Sequence, residues 1–226
     1  DNLKLVMKQG AGFFPTNEEM LDQFVDLYSK NLHKLDIIWS MWFSKWEDKL
    51  YQDFIPHIPF GNYIETAFPY DRKQPWTKAL EEKKVLVIHP FEESIRENYI
   101  KREVLFQNKE FLTSFDMITL KAVQSIGDEV TDYKNWFDAL ESMKEKIDKI
   151  DFDVALIGAG AYGFPLGGFI KDIGKKAIHV GGMLQLFFGI RAKAWDKLNI
   201  YNEYWVSPKE SEHPKGYEKV EAGRYW

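Results

Sequence analysis

The stretch Val154-Ala155-Leu156-Ile157-Gly158-Ala159-Gly160-Ala161-Tyr162-Gly163 decides how this chain is read. Four consecutive apolar residues fit a strand covered on both faces. Three glycines follow in the order G-x-G-x-x-G, and the segment from Pro165 to Ile173 continues as a helix. In that setting Gly158 permits a tight turn, Gly160 lets the backbone approach a phosphate, and Gly163 lets helix and strand pack closely. The N–H groups at the helix start then face the anion, with Tyr162 beside them. No carboxylate occurs between Asp153 and Asp172, so nothing in this stretch competes for those donors. The alternative is a plain tight turn from strand to helix.

Working outward, the same alternation recurs. Val85-Leu86-Val87-Ile88 reads as a buried strand, followed by a helix from Phe91 to Phe106 with Glu92 and Glu93 in its first turn, where the helix dipole favours them. A strand Met117 to Val123 comes next. A helix Trp136 to Ile150 follows, with Phe137, Leu140, Met143 and Ile147 on one stripe. Beyond the glycines come a strand Ala177 to Val180 and a helix from Met183 to about Trp195. Strands and helices alternating over short links predict an α/β fold, a doubly wound, mostly parallel Rossmann-like sheet with helices on both faces.

We read one α/β domain over residues 1–226, built from three segments. Residues 1–82 form an N-terminal segment, 83–198 a Rossmann-like nucleotide-binding segment, and 199–226 a polar tail pinned on the domain by Trp205, Tyr225 and Trp226. In the N-terminal segment, Thr16 with Glu19 suggests a capping box. Met20, Leu21, Phe24, Val25, Tyr28, Leu32 and Leu35 continue from it at helical spacing. A strand is expected at Ile37 to Met41. The proline-rich stretch Ile55 to Pro75 reads as loop with one short strand, Tyr63 to Ala67, and Pro75 opens a short helix through Leu80.

The 226 residues carry no cysteine, which excludes disulfides, Cys-based zinc sites and thiol catalysis and fits a cytoplasmic protein. No stretch approaches the ~20 apolar residues of a transmembrane span. The chain opens on Asp1, and we read it as a segment of a longer product or a processed one, with other domains upstream. A net charge of −5 does not suit nucleic acid. From Val154 to Trp195, however, five basic residues stand against the single acid Asp172, a balance that favours a small anionic ligand over a polyanion.

A second turn, His179-Val180-Gly181-Gly182, follows the next strand. A dinucleotide fold would place an acid there for the ribose; histidine and two glycines instead offer a second close-approach turn, which weakens NAD(P) and S-adenosylmethionine readings. Arg191 would pair with phosphate, and Gln185 with a base or sugar hydroxyl. His89 and His179 end their strands at the tips that line the crevice of such a sheet, and each is a candidate general base near neutral pH. The alternative for His179 is a satisfied strand-end histidine. Asp151-Phe152-Asp153 has the look of a metal-binding acidic pair but lies at the start of its strand, about 15 Å from the glycine turn, so we read it as an exposed connection. Trp39, Trp42 and Trp46 precede Glu47 and could stack a sugar face; we read Trp39 as core.

The segment Asp151 to Trp195, DFDVALIGAGAYGFPLGGFIKDIGKKAIHVGGMLQLFFGIRAKAW, resembles a mostly uncharacterised family from bacterial surface-polysaccharide gene clusters related to GT-D-fold glycosyltransferases. GAGFFP (10–15), KKVLVIHPFEESI (83–95), NWFDAL (135–140), NEYW (202–205) and the closing VEAGRYW extend the resemblance over most of the chain. Ala159, Ala192 and Ala194 depart from the cysteine, glycine and arginine usual there. The resemblance implies a nucleotide-sugar donor held at the turns beginning Gly158 and Gly181, and a saccharide acceptor. It also implies a divalent metal, Mn or Mg, on an N-terminal acidic motif that nothing before Gly10 matches.

The expected function is therefore glycosyl transfer from a nucleotide sugar to a saccharide. Gly158, Gly160, Tyr162, Gly163, Gly181 and Gly182 would form the donor floor, with Gln185 and Arg191 orienting it. His89 or His179 would act as base or leaving-phosphate contact, and Glu203 is a further candidate base on the tail. An NAD(P)- or S-adenosylmethionine-dependent enzyme and a non-catalytic nucleotide-binding or scaffold domain are the rival readings.

Overall fold

The computed structural model describes residues 2–39, 45–61 and 67–226, the side chain of Trp46 excepted. Four strands form one all-parallel sheet: β1 (Lys84–His89), β2 (Asp116–Lys121), β3 (Val154–Ile157) and β4 (Lys176–His179), in the order β2-β1-β3-β4. Val85 lies opposite Met117 on one side and Val154 on the other, and Val154 lies opposite Lys176. The order turns back at β1. From there the chain goes outward to β2, returns across to β3, and continues to β4. Parallel crossovers are right-handed, so the reversal places the connecting helices on opposite faces.

Two cores record this division. Val85, Val87, Val154 and Leu156 point to one face and pack with α4 (Glu92–Tyr99) and the segment Leu184–Ile190. Their strand neighbours Leu86, Ile88, Ala155 and Ile157 point to the other, against α6 (Trp136–Asp148) and α7 (Gly163–Asp172). The two-residue alternation of a strand thus feeds both layers. The stripe read on α6 is real but rotated: Trp136, Ala139, Leu140, Met143 and Ile147 are the buried positions, and Asn135 caps the helix by accepting the Asp138 amide at 2.9 Å.

The N-terminal segment supplies α1 (Asn2–Gln9), α2 (Glu18–Leu32) and α3 (Lys45–Phe54). The cap of α2 is Asn17, accepting from Met20 N, rather than Thr16. Val25 is exposed although it fits the spacing. Of the strand expected at 37–41, the described residues hold a parallel bridge between Ile38 and Phe60; Met41, Trp42 and the strand expected from Tyr63 lie outside them. Trp39 is half-buried rather than core.

Two helices are shorter than expected, for visible reasons. The helix expected over 91–106 breaks after α4 at exposed Ile100 and resumes as α5 (Arg102–Leu105). The one expected over 183–195 is a single turn, α8 (Leu184–Phe187). It stops at Gly189 (φ 69°), whose missing side chain leaves room for Leu105, and Ile190 then turns to pair with Val206 of the tail. The tail is pinned by Trp205 and Trp226, both buried. No helix of the described residues is long and apolar enough to cross a membrane.

Candidate functional site

The reversal of strand order at β1 and β3 is a topological switch point, and in open α/β sheets ligands bind in the crevice it leaves at the strand tips. His89 ends β1 here and Gly158 follows β3 directly. They touch: a Cβ on Gly158 would lie 2.5 Å from His89 Cδ2 and 2.8 Å from the carbonyl oxygen of Gly181. Three of the expected residues, His89 at the end of β1 and Gly158 and Gly181 in the turns after β3 and β4, therefore meet at one point.

The glycine turn is a short 3-10 turn, Gly160–Tyr162, leading into α7. Gly160 takes φ 51° in open space, a conformation that suits glycine. Among the described residues the amides of Ala159, Gly160 and Ala161 meet no protein acceptor, and neither do those of Gly181 and Gly182. Tyr28 of α2 steadies the turn from behind, donating its hydroxyl to the Ala161 carbonyl at 2.6 Å.

The first turn, after β1, is built differently. Phe91 N donates to His89 Nδ1 at 2.9 Å, and Glu93 N and Ser94 N both donate to Glu212 Oε1, at 2.9 and 3.2 Å. The Ser94 hydroxyl donates to the other Glu212 oxygen. Glu92 and Glu93 stand in the first turn of this helix, as expected, but they do not take its amides. Glu92 pairs with Arg96 and Thr119, and Glu93 with Lys209, while a carboxylate from the tail, buried and far along the chain, takes the amides. Nothing in the local sequence signals this seat, because the β1-turn groups that Glu212 binds lie more than a hundred residues away, while its local partner is only the Lys209 amide.

The other expected residues divide. Gly163 packs against His179, whose Cδ2 is 2.5 Å from where a Cβ would stand, and His179 Nε2 is buried without a partner among the described residues. Burial lowers the pKa of His179 to about 4 and that of His89 to about 3. Both rings are neutral near pH 7, and burial makes each a weaker base than an ordinary histidine. Gly182 is covered by the ring of Tyr225, 2.6 Å from a Cβ placed there.

Tyr162 is turned away from the crevice. It stacks on Trp136 at 4.6 Å and 8°, and its hydroxyl meets Ser125 Oγ at 2.9 Å; since Ser125 donates to the Gly12 carbonyl, Tyr162 is the donor. Gln185 is buried, and its amide donates to the carbonyls of Arg191 and Tyr225, a structural task rather than a ligand contact. The guanidinium of Arg191 lies 4.9 Å over the ring of Tyr201. Glu203 sits on a turn whose neighbours Asn202 and Trp205 bond the Leu105 carbonyl. That is the far end of α4 and α5 from His89, with about 12 Å of α4 between, so the structure does not bring Glu203 to the crevice.

Asp151 and Asp153 stay at the strand starts, bonded to Lys84. Among the described residues no group of three or more His, Asp or Glu is arranged to hold a metal. A cleft of about 1590 Å³ runs along the open edge of β4, lined by Lys83, Lys176, Phe164 and His179 and by Arg72 and Lys73. Its walls come from segments far apart in the chain, which is why no local pattern announces it. Comparison of the chain with known protein families, with curated proteins and with solved structures finds no match.

Proposed function

We propose that the chain binds the diphosphate of a nucleotide sugar at the β1–β3 switch point and serves glycosyl transfer to a saccharide. One observation carries the reading. Of the βα turns at the strand tips, the first has its amides taken by the protein's own carboxylate, while the turns at Gly158 and Gly181 leave five amides without an acceptor among the described residues. A run of N–H groups without a protein acceptor at a helix start suits a phosphate. The seat of Glu212 on the β1 turn is an example, within the same sheet, of such a turn taking an anion.

In this reading Gly158, Gly160, Gly163 and Gly181 shape the donor floor. Gly182, under Tyr225, supplies its amide alone, and Tyr162 supports the floor from below. The cleft beside β4 begins at His179, behind the donor floor, and has room for a saccharide acceptor; Lys73, Lys83 and Lys176 along it would favour an acidic one. Calorimetric titration with UDP, GDP and CMP and their sugar conjugates tests the proposal. Heat from at least one diphosphate, lost in a Gly160→Asp variant that brings a carboxylate to the turn, is the expected result; a folded protein silent to all of them would refute it.

A further inference from the structure

We propose that His89 is the ligand's hydrogen-bond donor on the β1 side of the crevice, acting through a fixed Nε2–H, and does not collect the proton released in the reaction. The inference rests on the nucleotide-sugar reading above and adds the role of a residue that the reading leaves open between base and phosphate contact.

The geometry begins with the backbone. Phe91 N–H donates to His89 Nδ1 at 2.9 Å, which makes Nδ1 the acceptor. A neutral imidazole has one acceptor nitrogen and one donor, so the hydrogen lies on Nε2. That edge of the ring faces the β3 turn: Nε2 stands 3.1 Å from the point where a Gly158 Cβ would be. His89 is 3% exposed as a residue, and no hydrogen bond is formed at its Nε2 among the described residues, so that edge keeps a donor to give.

The surroundings keep the ring uncharged. On β2 the residue in register is Lys121; just after β3 the neighbour is Gly158, which the Gly181 carbonyl also meets; and the Phe91 ring lies at 4.9 Å. No carboxylate faces it from these elements among the described residues, and desolvation is the cause of its lowered pKa. A neutral Nε2–H gives a hydrogen bond to a phosphate oxygen and transfers no proton. The first turn, its amides spent on His89 and Glu212, thus contributes one side-chain donor opposite the free amides of Ala159 to Ala161.

The test uses protein labelled with ¹⁵N at histidine, recorded alone and with UDP, together with UDP titrations of the wild type, His89→Gln and His89→Phe. We expect the Nε2–H tautomer from pH 5.5 to 8 and a shift of its Nε2 resonance on adding UDP. The phenylalanine variant should lose roughly tenfold or more in affinity, and the glutamine variant, whose own Nε2–H reaches the same place, should keep most of it. A Nδ1–H tautomer, titration of His89 within that range, an unmoved Nε2 resonance with UDP bound, or equal affinity in a folded phenylalanine variant would each overturn the inference alone. Absence of wild-type binding to any nucleotide would overturn it together with the reading it rests on. Should the phenylalanine variant fail to fold, the resonance shift decides.

Discussion

The carboxylate of Glu212 is seated on the amide of Ser94, 118 residues earlier in the chain, and joins the C-terminal tail to the tip of β1. It is a buried carboxylate with partners on both oxygens, one from Ser94 Oγ and three from the backbone amides of Glu93, Ser94 and Lys209. Tail and sheet are therefore one cooperative unit at this point, with Lys209 adding ion pairs to Glu93 and Glu97 on the surface.

Removing that seat should be costly. Glu212→Ala leaves two helix-start amides and a hydroxyl buried without acceptors, each costing about 1–3 kcal/mol at most, and we expect a total loss of about 3 kcal/mol. For a chain of this size that corresponds to roughly 6–12 °C in thermal midpoint. Glu212→Gln, which keeps one acceptor, should lose less than half as much. Calorimetric melting of the two variants checks the order; equal, small losses would show that the tail is only laid on the domain.

The glycines predict a second ranking. Gly158→Ala sets a methyl against the His89 ring and the Gly181 carbonyl, and Gly163→Ala sets one against the His179 ring. Overpacking of this kind costs about 1–3 kcal/mol. Gly160→Ala meets nothing, so its cost is the positive φ alone, about 1 kcal/mol. Urea unfolding should therefore find Gly160→Ala the mildest of the three, although it stands in the centre of the motif.

The same residues explain what is legible in the sequence. The strands and the turn at Gly158 are readable because their signals are local: apolar runs, then glycines, then a helix. Helix ends escape the sequence where a distant contact decides, as when Gly189 stops α8 by admitting Leu105. Within the site, Tyr162 and Gln185 look available because a sequence shows that a side chain is polar but not which way it faces. Trp136 and Ser125 claim the first, and two carbonyls the second. Glu212 carries no signal, since its seat exists only after folding.

Tyr162 gives a direct check on that distinction. Its hydroxyl donates to Ser125 on the far side of the turn, and burial holds it well above the usual phenol range. Tyr162→Phe should cost about 1 kcal/mol in stability, the worth of one hydrogen bond, with the Trp136 stack retained. UDP affinity should stay within about twofold, which is under 0.5 kcal/mol. A large loss of affinity with stability intact would mean that the hydroxyl reaches the ligand.

Acid should weaken the fold through the two crevice histidines. Both have folded pKa values below the ordinary histidine value of 6.5, His179 near 4 and His89 near 3. The unfolded chain therefore binds protons that the folded chain refuses, and stability falls as pH drops below 6.5. Each ring contributes a slope of about 1.4 kcal/mol per pH unit until its folded pKa is reached. Between about pH 6 and 4.5 the pair should remove about 4 kcal/mol, and above about pH 7 their contribution should be constant. Urea midpoints taken across this range check the sign. His179→Asn, which cannot take up the proton, should flatten the slope by half; an unchanged slope would show that the ring is already charged in the folded protein.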